Sequence, residues 1–340
     1  MNIMIVGFGT VGQSLAQLLL GYRDFLKKAY GMVVRVVAIV DSKGAAVSQR
    51  GLDLDMALRC KREHGTVAKM PSVGSEMSAL DVLRSVEADV LVEATHTNLM
   101  NGEPGMTNIV NALQLGLNVV TVNKGPLALA MPMLKEMAEH RKLALKFSGS
   151  VGGGLPVLAF AKECAMGDRI VKVEGVLNGT TNYILTRMEE GLGFDEALAE
   201  AQEKGYAERD PTLDISGMDT ACKLVILANE VLGKRVTLKD LKIEGIAEIK
   251  PEDIKMAKSS GKVIRLIGVA EESGVFVKPL AVDRSDPLAV KYAYNAVTLT
   301  LENSGRHTIT GKGAGGRETA TAIIRDLISI KERLIGYKIV

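Results

Sequence analysis

Cysteine is scarce in this chain. Only three occur in 340 residues, Cys60, Cys164 and Cys222. They are odd in number and far apart, so they supply neither a disulfide framework nor a CxxC metal or redox site, and a reduced, cytoplasmic setting is expected. A charge excess is also missing: 42 basic against 40 acidic residues leave a formal charge of +2, which gives no footprint for nucleic acid or an anionic membrane surface. No run approaches the ~18 apolar residues of a membrane span. The apolar N-terminus has no basic residue before Arg23 and is interrupted by glycines, unlike a signal peptide. The four histidines, His64, His96, His140 and His307, form no HExxH pair, which argues against a catalytic zinc. Internal repeats and low-complexity tracts are absent too.

What remains is a chain long enough for two domains with a sizeable core. Residues 2–6 read as a short buried strand, and Gly7-Phe8-Gly9-Thr10-Val11-Gly12 follows, opening a helix over 11–28. A GxGxxG between a strand and a helix is a dinucleotide loop. The first glycine makes the turn, the second admits a pyrophosphate, the third lets the helix pack, and the helix N-terminus faces the anion. A β-branched strand over 33–40 ends at Asp41, placed to accept hydrogen bonds from the ribose of NAD, although it comes later than the usual ~20 residues after the glycines. Lys43 beside it suits a 2′-phosphate, so NAD and NADP both stay open.

Strands over 89–93 and 117–122, with a helix over 107–116 between them, continue an alternating pattern that predicts a parallel, doubly wound sheet of Rossmann type. Ligands of such sheets lie beyond the carboxyl ends of the strands, where Thr95 and His96 follow one strand and Asn123 and Lys124 another. His96 reads as a neutral neighbour. Lys124 reads as functional rather than as a solvated loop lysine, because Pro126 keeps its loop short. After a strand over 144–147, the run from Ser148 to Pro156 is a glycine-rich hinge, read either as a flexible linker or as a backbone site for an ion or phosphate. Domains are therefore expected at 1–147 and 148–310, with 311–340 a C-terminal helix returning to the first domain. The second domain reads as α+β. Strands are expected at 172–177, 263–270, 275–282 and 296–301, with helices after Asn178 and over 194–204. The last glycine run, 311–316, has no comparably apolar strand before it and opens a helix over 318–333.

Chemistry concentrates in residues 205–223, where four acids and a well-spaced lysine precede an apolar helix. The residue before Pro211 should be extended, with Asp214 or Ser216 capping a helix that runs to about residue 230. Asp219 and Lys223 stand at i and i+4 and project from one side of that helix. The next turn, 224–228, has no polar face, so the helix is expected to be enclosed. An i,i+4 pair is ordinarily a solvated contact, but burying this many charges calls for a ligand or water. Carboxylates suit the ammonium of an amino-acid substrate, and an enclosed lysine suits proton transfer.

These motifs together resemble homoserine dehydrogenase: GFGTVG at 7–12, VEAT at 92–95, TVNKGPLA at 121–128, NGTTNYI at 178–184, GYAERDP through DISGMDTACK at 205–223, and GKGAGGRETA at 311–320. The resemblance spans nearly the whole chain. It implies a Rossmann-type nucleotide domain, a second domain for substrate binding and homodimer formation, and NAD(P)-dependent interconversion of L-homoserine and L-aspartate 4-semialdehyde, on the route to threonine, methionine and isoleucine. It places Lys223 as acid/base, with Asp219 and Lys124 beside the reaction. Substrate contacts fall to Glu208, Asp214, Asp219, Thr180 and Gly205. Cofactor contacts fall to the 7–12 loop, Asp41, Lys43, Thr95, Lys124, Gly313 and Gly315. The family often holds a monovalent cation, sodium or potassium, through hinge carbonyls, here Val151, Gly153 and Leu155. Ser148 stands where the family usually has a glutamate, which weakens that site, and Lys312 replaces a common proline. The chain ends at 340 with no appended regulatory domain or aspartate kinase, so threonine feedback through one is not expected.

Two rivals remain for comparison. An aspartate-semialdehyde dehydrogenase would need a thiolate nucleophile, and no cysteine falls at a strand end. A nucleotide-sensing protein with a decayed site would not need the intact acid and lysine set.

Overall fold

The computed structural model describes residues 1–335. The chain divides into two compact units, Met1–Ser150 with the described residues from Gly315 onward, and Val151–Ala314. The boundaries expected from the sequence, 147/148 and 310/311, fall a few residues ahead of these divisions. Residues 336–340 of the expected C-terminal segment lie outside the described residues.

In the first unit the order is β1 (Asn2–Val6), α1 (Thr10–Gly21), α2 (Arg23–Tyr30), β2 (Arg35–Asp41), β3 (Gly44–Val47), α3 (Leu54–His64), β4 (Gly74–Ser75), α4 (Ala79–Ser85), β5 (Val90–Glu93), α5 (Gly105–Gln114), β6 (Asn118–Thr121), α6 (Lys124–His140) and β7 (Leu145–Lys146). They form one sheet in the order β4-β3-β2-β1-β5-β6-β7. Strands β2, β1, β5, β6 and β7 are parallel, and the residues of β5 and β6 are buried throughout, as expected for strands covered on both faces. The edge departs from the all-parallel expectation, because β3 and β4 run antiparallel. Their short runs of small residues, Gly-Ala-Ala-Val and Gly-Ser, carry no periodic apolar signal. The single helix expected over 11–28 is two, broken at Tyr22, whose φ of −106° and ψ of 10° are not helical.

The second unit contains α7 (Val157–Cys164), β8 (Ile170–Val176), α8 (Gly179–Glu189), α9 (Phe194–Glu203), α10 (Thr212–Ile215), α11 (Met218–Val231), β9 (Lys242–Ile243), α12 (Pro251–Ser259), β10 (Lys262–Glu271), β11 (Gly274–Asp283), β12 (Tyr294–Leu301) and β13 (Gly305–Lys312). Its sheet has the order β13-β12-β8-β10-β11-β9 and is antiparallel except between β9 and β11. Every residue of α11 from Thr220 to Asn229 is buried. A Cβ on Gly268 of β10 would come 3.3 Å from Leu224, so the missing side chain lets this helix lie close on the sheet.

One local expectation fails here. The strand that leads into the last glycine run, β13, is polar, Gly-Arg-His-Thr-Ile-Thr-Gly-Lys, and so is not comparable to the apolar strand before the first glycine loop, as expected. The stretch after Asp210, however, is not extended up to a side-chain cap. The Asp210 carboxylate accepts from the Thr212 N–H at 3.1 Å and its hydroxyl at 2.6 Å, starting the short α10, and Gly217, at φ +81°, then redirects the chain into α11. Asp214 therefore lies within α10 and Ser216 at its C-terminal end, and Gly217 rather than either of them stands at the N-terminus of α11.

The last helix, α13 (Gly316–Ile335), belongs to the first unit, where Ala320, Ile323, Leu327 and Ile330 form an apolar stripe in the core shared with α1. No helix among the described residues is long and apolar enough to cross a membrane.

Candidate active site

The order of strands in the first unit turns back at β1, with β2 on one side and β5 on the other, and at such a switch point the carboxyl ends of the strands leave a crevice. The 7–12 loop lies there. Gly7 has φ +100°, and a Cβ on it would meet the Ala94 carbonyl oxygen at 2.3 Å. A Cβ on Gly12 would meet the Gly7 oxygen at 2.3 Å, whereas one on Gly9 would meet nothing within 4 Å. Two glycines are thus required by packing, and the middle one leaves open backbone. Phe8 is buried in the core, while Thr10 and Val11 begin α1. That helix has Gly9 at its N-cap, no side-chain cap and no acid in its first turn. Its N-terminal amides and dipole therefore suit a pyrophosphate, and the residues present fit a dinucleotide.

Asp41 ends β2 as expected, but its carboxylate is heavily engaged. It accepts from Lys61 Nζ at 2.7 Å, Thr66 Oγ1 at 2.9 Å, and the backbone N–H groups of Lys43 at 2.9 Å and Val67 at 3.0 Å. Burial works to raise this carboxyl, and those four bonds outweigh it, holding it below the ordinary aspartate value. Four donors fill a carboxylate's acceptor sites. A ribose hydroxyl would have to displace one of them. Lys61, twenty residues on and in α3, gave no local signal in the sequence.

At the carboxyl ends of β5 and β6 lies a buried polar cluster. Glu93, fully buried, accepts from the Thr95 N–H and the Asn108 amide at 2.8 Å each, and from the Thr95 hydroxyl in a short bond. The Asn123 amide donates to Thr95 Oγ1 at 3.1 Å and to the His96 carbonyl at 3.0 Å. Its oxygen caps α6 by accepting from the Gly125 N–H at 3.0 Å, and Lys124 is the first residue of that helix. Glu93, Asn108 and Asn123 thus tie the turn of Thr95 to the start of α6, where Lys124 lies; Asn123 is legible beside Lys124 in the sequence, whereas Glu93 and Asn108 are not singled out there.

In the second unit, Lys223 is 7% exposed, and its Nζ donates to Asp219 Oδ2 at 2.7 Å and to the Leu177 carbonyl at 2.6 Å. One amide ties the acids together: Asn178 Nδ2 donates to Asp214 Oδ1 at 2.6 Å and to Asp219 Oδ2 at 2.8 Å, while Asn178 Oδ1 caps α8. Burial, and next the charge of Asp219, push the Asp214 carboxyl above its ordinary value. Asn295 also donates to the Leu177 carbonyl, at 2.9 Å. Thr180 gives its hydroxyl to the Tyr206 carbonyl at 2.7 Å, anchoring the loop that Gly205 (φ +72°) begins and that carries the exposed Glu208. The structure therefore joins Asp219 to Lys223 directly and to Asp214 through Asn178, with Glu208 on a tethered loop beyond them.

The remaining expected positions are backbone features. Gly152 and Gly153 adopt φ +79° and +56°, and the Leu155 carbonyl already accepts from the Val157 N–H at 2.9 Å. The Ser148 hydroxyl donates to Asp326 of α13 at 2.6 Å. A Cβ on Gly313 would overlap Asn295, and Gly315 has φ +136°. No group of three or more His, Cys, Asp or Glu that could hold a metal occurs among the described residues.

A glycine loop at the switch point of a parallel sheet makes the first unit that of a dinucleotide-binding dehydrogenase, a class in which a separate set of polar side chains selects the substrate. Comparison with known proteins narrows the class. Residues 156–328 match the model of the homoserine dehydrogenase family, and residues 1–120 match that of glutamate/leucine/phenylalanine/valine dehydrogenase. The chain is 46% identical over 331 residues to homoserine dehydrogenase of Methanocaldococcus jannaschii, covering 97% of this chain and 98% of that protein. It is 39% identical over 340 residues to the NAD(+)-dependent homoserine dehydrogenase of Pseudomonas canavaninivorans, covering 97% and 96%. The solved structure of a hyperthermophilic archaeal homoserine dehydrogenase in complex with NADPH superposes with a TM-score of 0.85 at 28% identity, over 98% of each chain. The chain belongs to the homoserine dehydrogenase family.

Proposed function

We propose that the chain interconverts L-homoserine and L-aspartate 4-semialdehyde with NAD or NADP, within the synthesis of threonine, methionine and isoleucine. The observation that carries this is the Lys223 ammonium, held by Asp219 at 2.7 Å and the Leu177 carbonyl at 2.6 Å. An ammonium has three N–H donors, and fixing two aims the third. That third donor gives its proton to the aldehyde oxygen on reduction, and the same nitrogen takes the hydroxyl proton on oxidation. A nicotinamide bound by the first unit would supply the hydride chemistry at the carbon bearing that oxygen. Asp219, Asp214 and Glu208 attract the substrate ammonium, Asn178 holds the first two in place, and Thr180 and Gly205 set the loop of Glu208. In the first unit the 7–12 loop takes the pyrophosphate. Asp41 and Lys43 flank the ribose end, Thr95 and Lys124 serve the nicotinamide end, and Gly313 and Gly315 complete the cofactor contacts.

A cation held by the carbonyls of Val151, Gly153 and Leu155 would add little, because the Ser148 hydroxyl is committed to Asp326. The second unit serves a homodimer, and the three free cysteines suit a reduced cytoplasmic enzyme. Cys222 is 1% exposed inside α11 and cannot present a thiolate to an aldehyde, which disfavours an aspartate-semialdehyde dehydrogenase.

The direction of the cofactor change separates the two. Given L-aspartate 4-semialdehyde and reduced cofactor, this chain consumes reduced cofactor. The rival, given the semialdehyde, phosphate and oxidised cofactor, produces it, and production alone would overturn the proposal.

A further inference from the structure

We infer that Glu93 is a positioning residue for the hydride-transfer step, a buried anion that fixes the two loops flanking the nicotinamide; this rests on the homoserine dehydrogenase reading above. A fully buried carboxylate is costly unless its oxygens are saturated with donors. Glu93 is 0% exposed, and the partners the structure gives it are neutral: the Thr95 N–H, the Thr95 hydroxyl, the Asn108 amide at 2.8 Å, and the Asn123 amide at the longer distance of 3.4 Å. None of these is a cation that would make the pair worth burying for stability.

The geometry shows what the arrangement achieves. Glu93 ends β5, Asn108 lies on α5, and Asn123 caps α6 two residues past the neighbouring β6, so one carboxylate and two amides join three elements at the carboxyl edge of the sheet. Through Thr95, Glu93 sets the turn after β5. Asn123 in turn clamps the same turn at the Thr95 hydroxyl and the His96 carbonyl, while its oxygen caps α6 and so sets the residue that opens it, Lys124. Neighbouring backbones leave no slack. A Cβ on Gly105 would lie 2.6 Å from Asn123 Nδ2, and one on Gly125 would lie 2.5 Å from the Asn98 carbonyl oxygen. The carboxylate satisfies the Thr95 donors with one oxygen and the Asn108 donor with the other. Glutamine at this position would turn an amide NH2 toward one of them.

Displacing a reacting group by ~1 Å can cost ~100-fold in rate, because hydride transfer demands close alignment. Glu93→Gln therefore lowers kcat by at least ~10-fold. The adenosine half of the cofactor and the amino-acid half of the substrate have their own anchors, so cofactor affinity and the KM for homoserine change by less than about threefold, as befits a loss confined to the transition state. The fluorescence of the bound reduced nicotinamide changes with its altered surroundings.

The experiment compares wild type and E93Q for kcat, homoserine KM, cofactor binding, nicotinamide fluorescence and melting temperature. Wild type without homoserine-dependent turnover would sink the functional reading itself. Wild type active with E93Q equally active, or E93Q losing apparent kcat only in proportion to its loss of folded fraction, would overturn the positioning role alone. Should E93Q not fold, Asn108→Ala, which removes one donor and keeps the carboxylate, is read in the same way: a fall in kcat at constant KM and native melting supports the inference, and an unchanged kcat overturns it.

Discussion

Replacing Lys223 by methionine tests the proton-transfer centre and its price in stability together. Methionine keeps the buried stem of a side chain that is 9% exposed but removes the nitrogen and both of its bonds. Loss of a general acid/base lowers the rate constant by ~100- to 10,000-fold. That range corresponds to about 3 to 5 kcal/mol of barrier. The same change takes the Lys223 partner from Asp219, whose side chain is 13% exposed, and breaking a buried pair costs roughly 3 to 5 kcal/mol. Asn178 still donates to Asp219 at 2.8 Å, and Leu177 keeps the Asn295 donor at 2.9 Å, which places the loss near the lower end, about 3 kcal/mol. The two effects separate in the double variant Lys223→Met/Asp219→Asn. Neutralising Asp219 as well removes the charge that Lys223 had balanced, so part of the melting temperature returns and none of the turnover does. Steady-state cofactor absorbance and thermal melting read both quantities. Turnover of Lys223→Met within about tenfold of wild type, or activity returning with stability in the double variant, would refute the role of this nitrogen.

Three further outcomes are expected. Glu208→Gln raises the homoserine KM with little change in kcat, because in the proposed role this exposed carboxylate would meet the ammonium in ground and transition states alike; a selective loss of kcat in steady-state kinetics would contradict it. Asp41→Ala moves preference toward NADP, since it releases Lys61 from its 2.7 Å pair and removes an anion beside Lys43, and an unchanged ratio of catalytic efficiencies would take Asp41 out of the ribose end. Asp326, buried on α13, is raised by burial from 3.8 to about 6, so the folded state binds the extra proton between those values and stability falls as pH rises through that window. Two pKa units correspond to about 3 kcal/mol. Asp326→Asn keeps the Ser148 bonds by turning that hydroxyl round and abolishes the slope, which melting curves across the window would check.

What the sequence carried well was periodic or local. The GxGxxG loop, the buried parallel strands and the i,i+4 pair on an apolar helix each sit within one element, and the structure keeps all three in place. The edges were less legible, since β3, β4 and β13 are short or polar and are held by their neighbours rather than by their own propensity. Partners distant in sequence left no signal. Glu93 and Asn108, Asp41 and Lys61, and Asn178 with its two acids meet only because the fold places strand ends and helix caps side by side. Asp41 shows the consequence, because an acid at the end of the second strand reads as a ribose ligand until Lys61, Thr66 and two backbone amides are seen to occupy it.

The central claim is tested most directly by supplying the purified chain with L-homoserine and following reduced nicotinamide, with NAD and with NADP in parallel. The account predicts reduction that depends on homoserine, fails with D-homoserine and disappears in Lys223→Met. No homoserine-dependent reduction of either cofactor by the folded protein would contradict it.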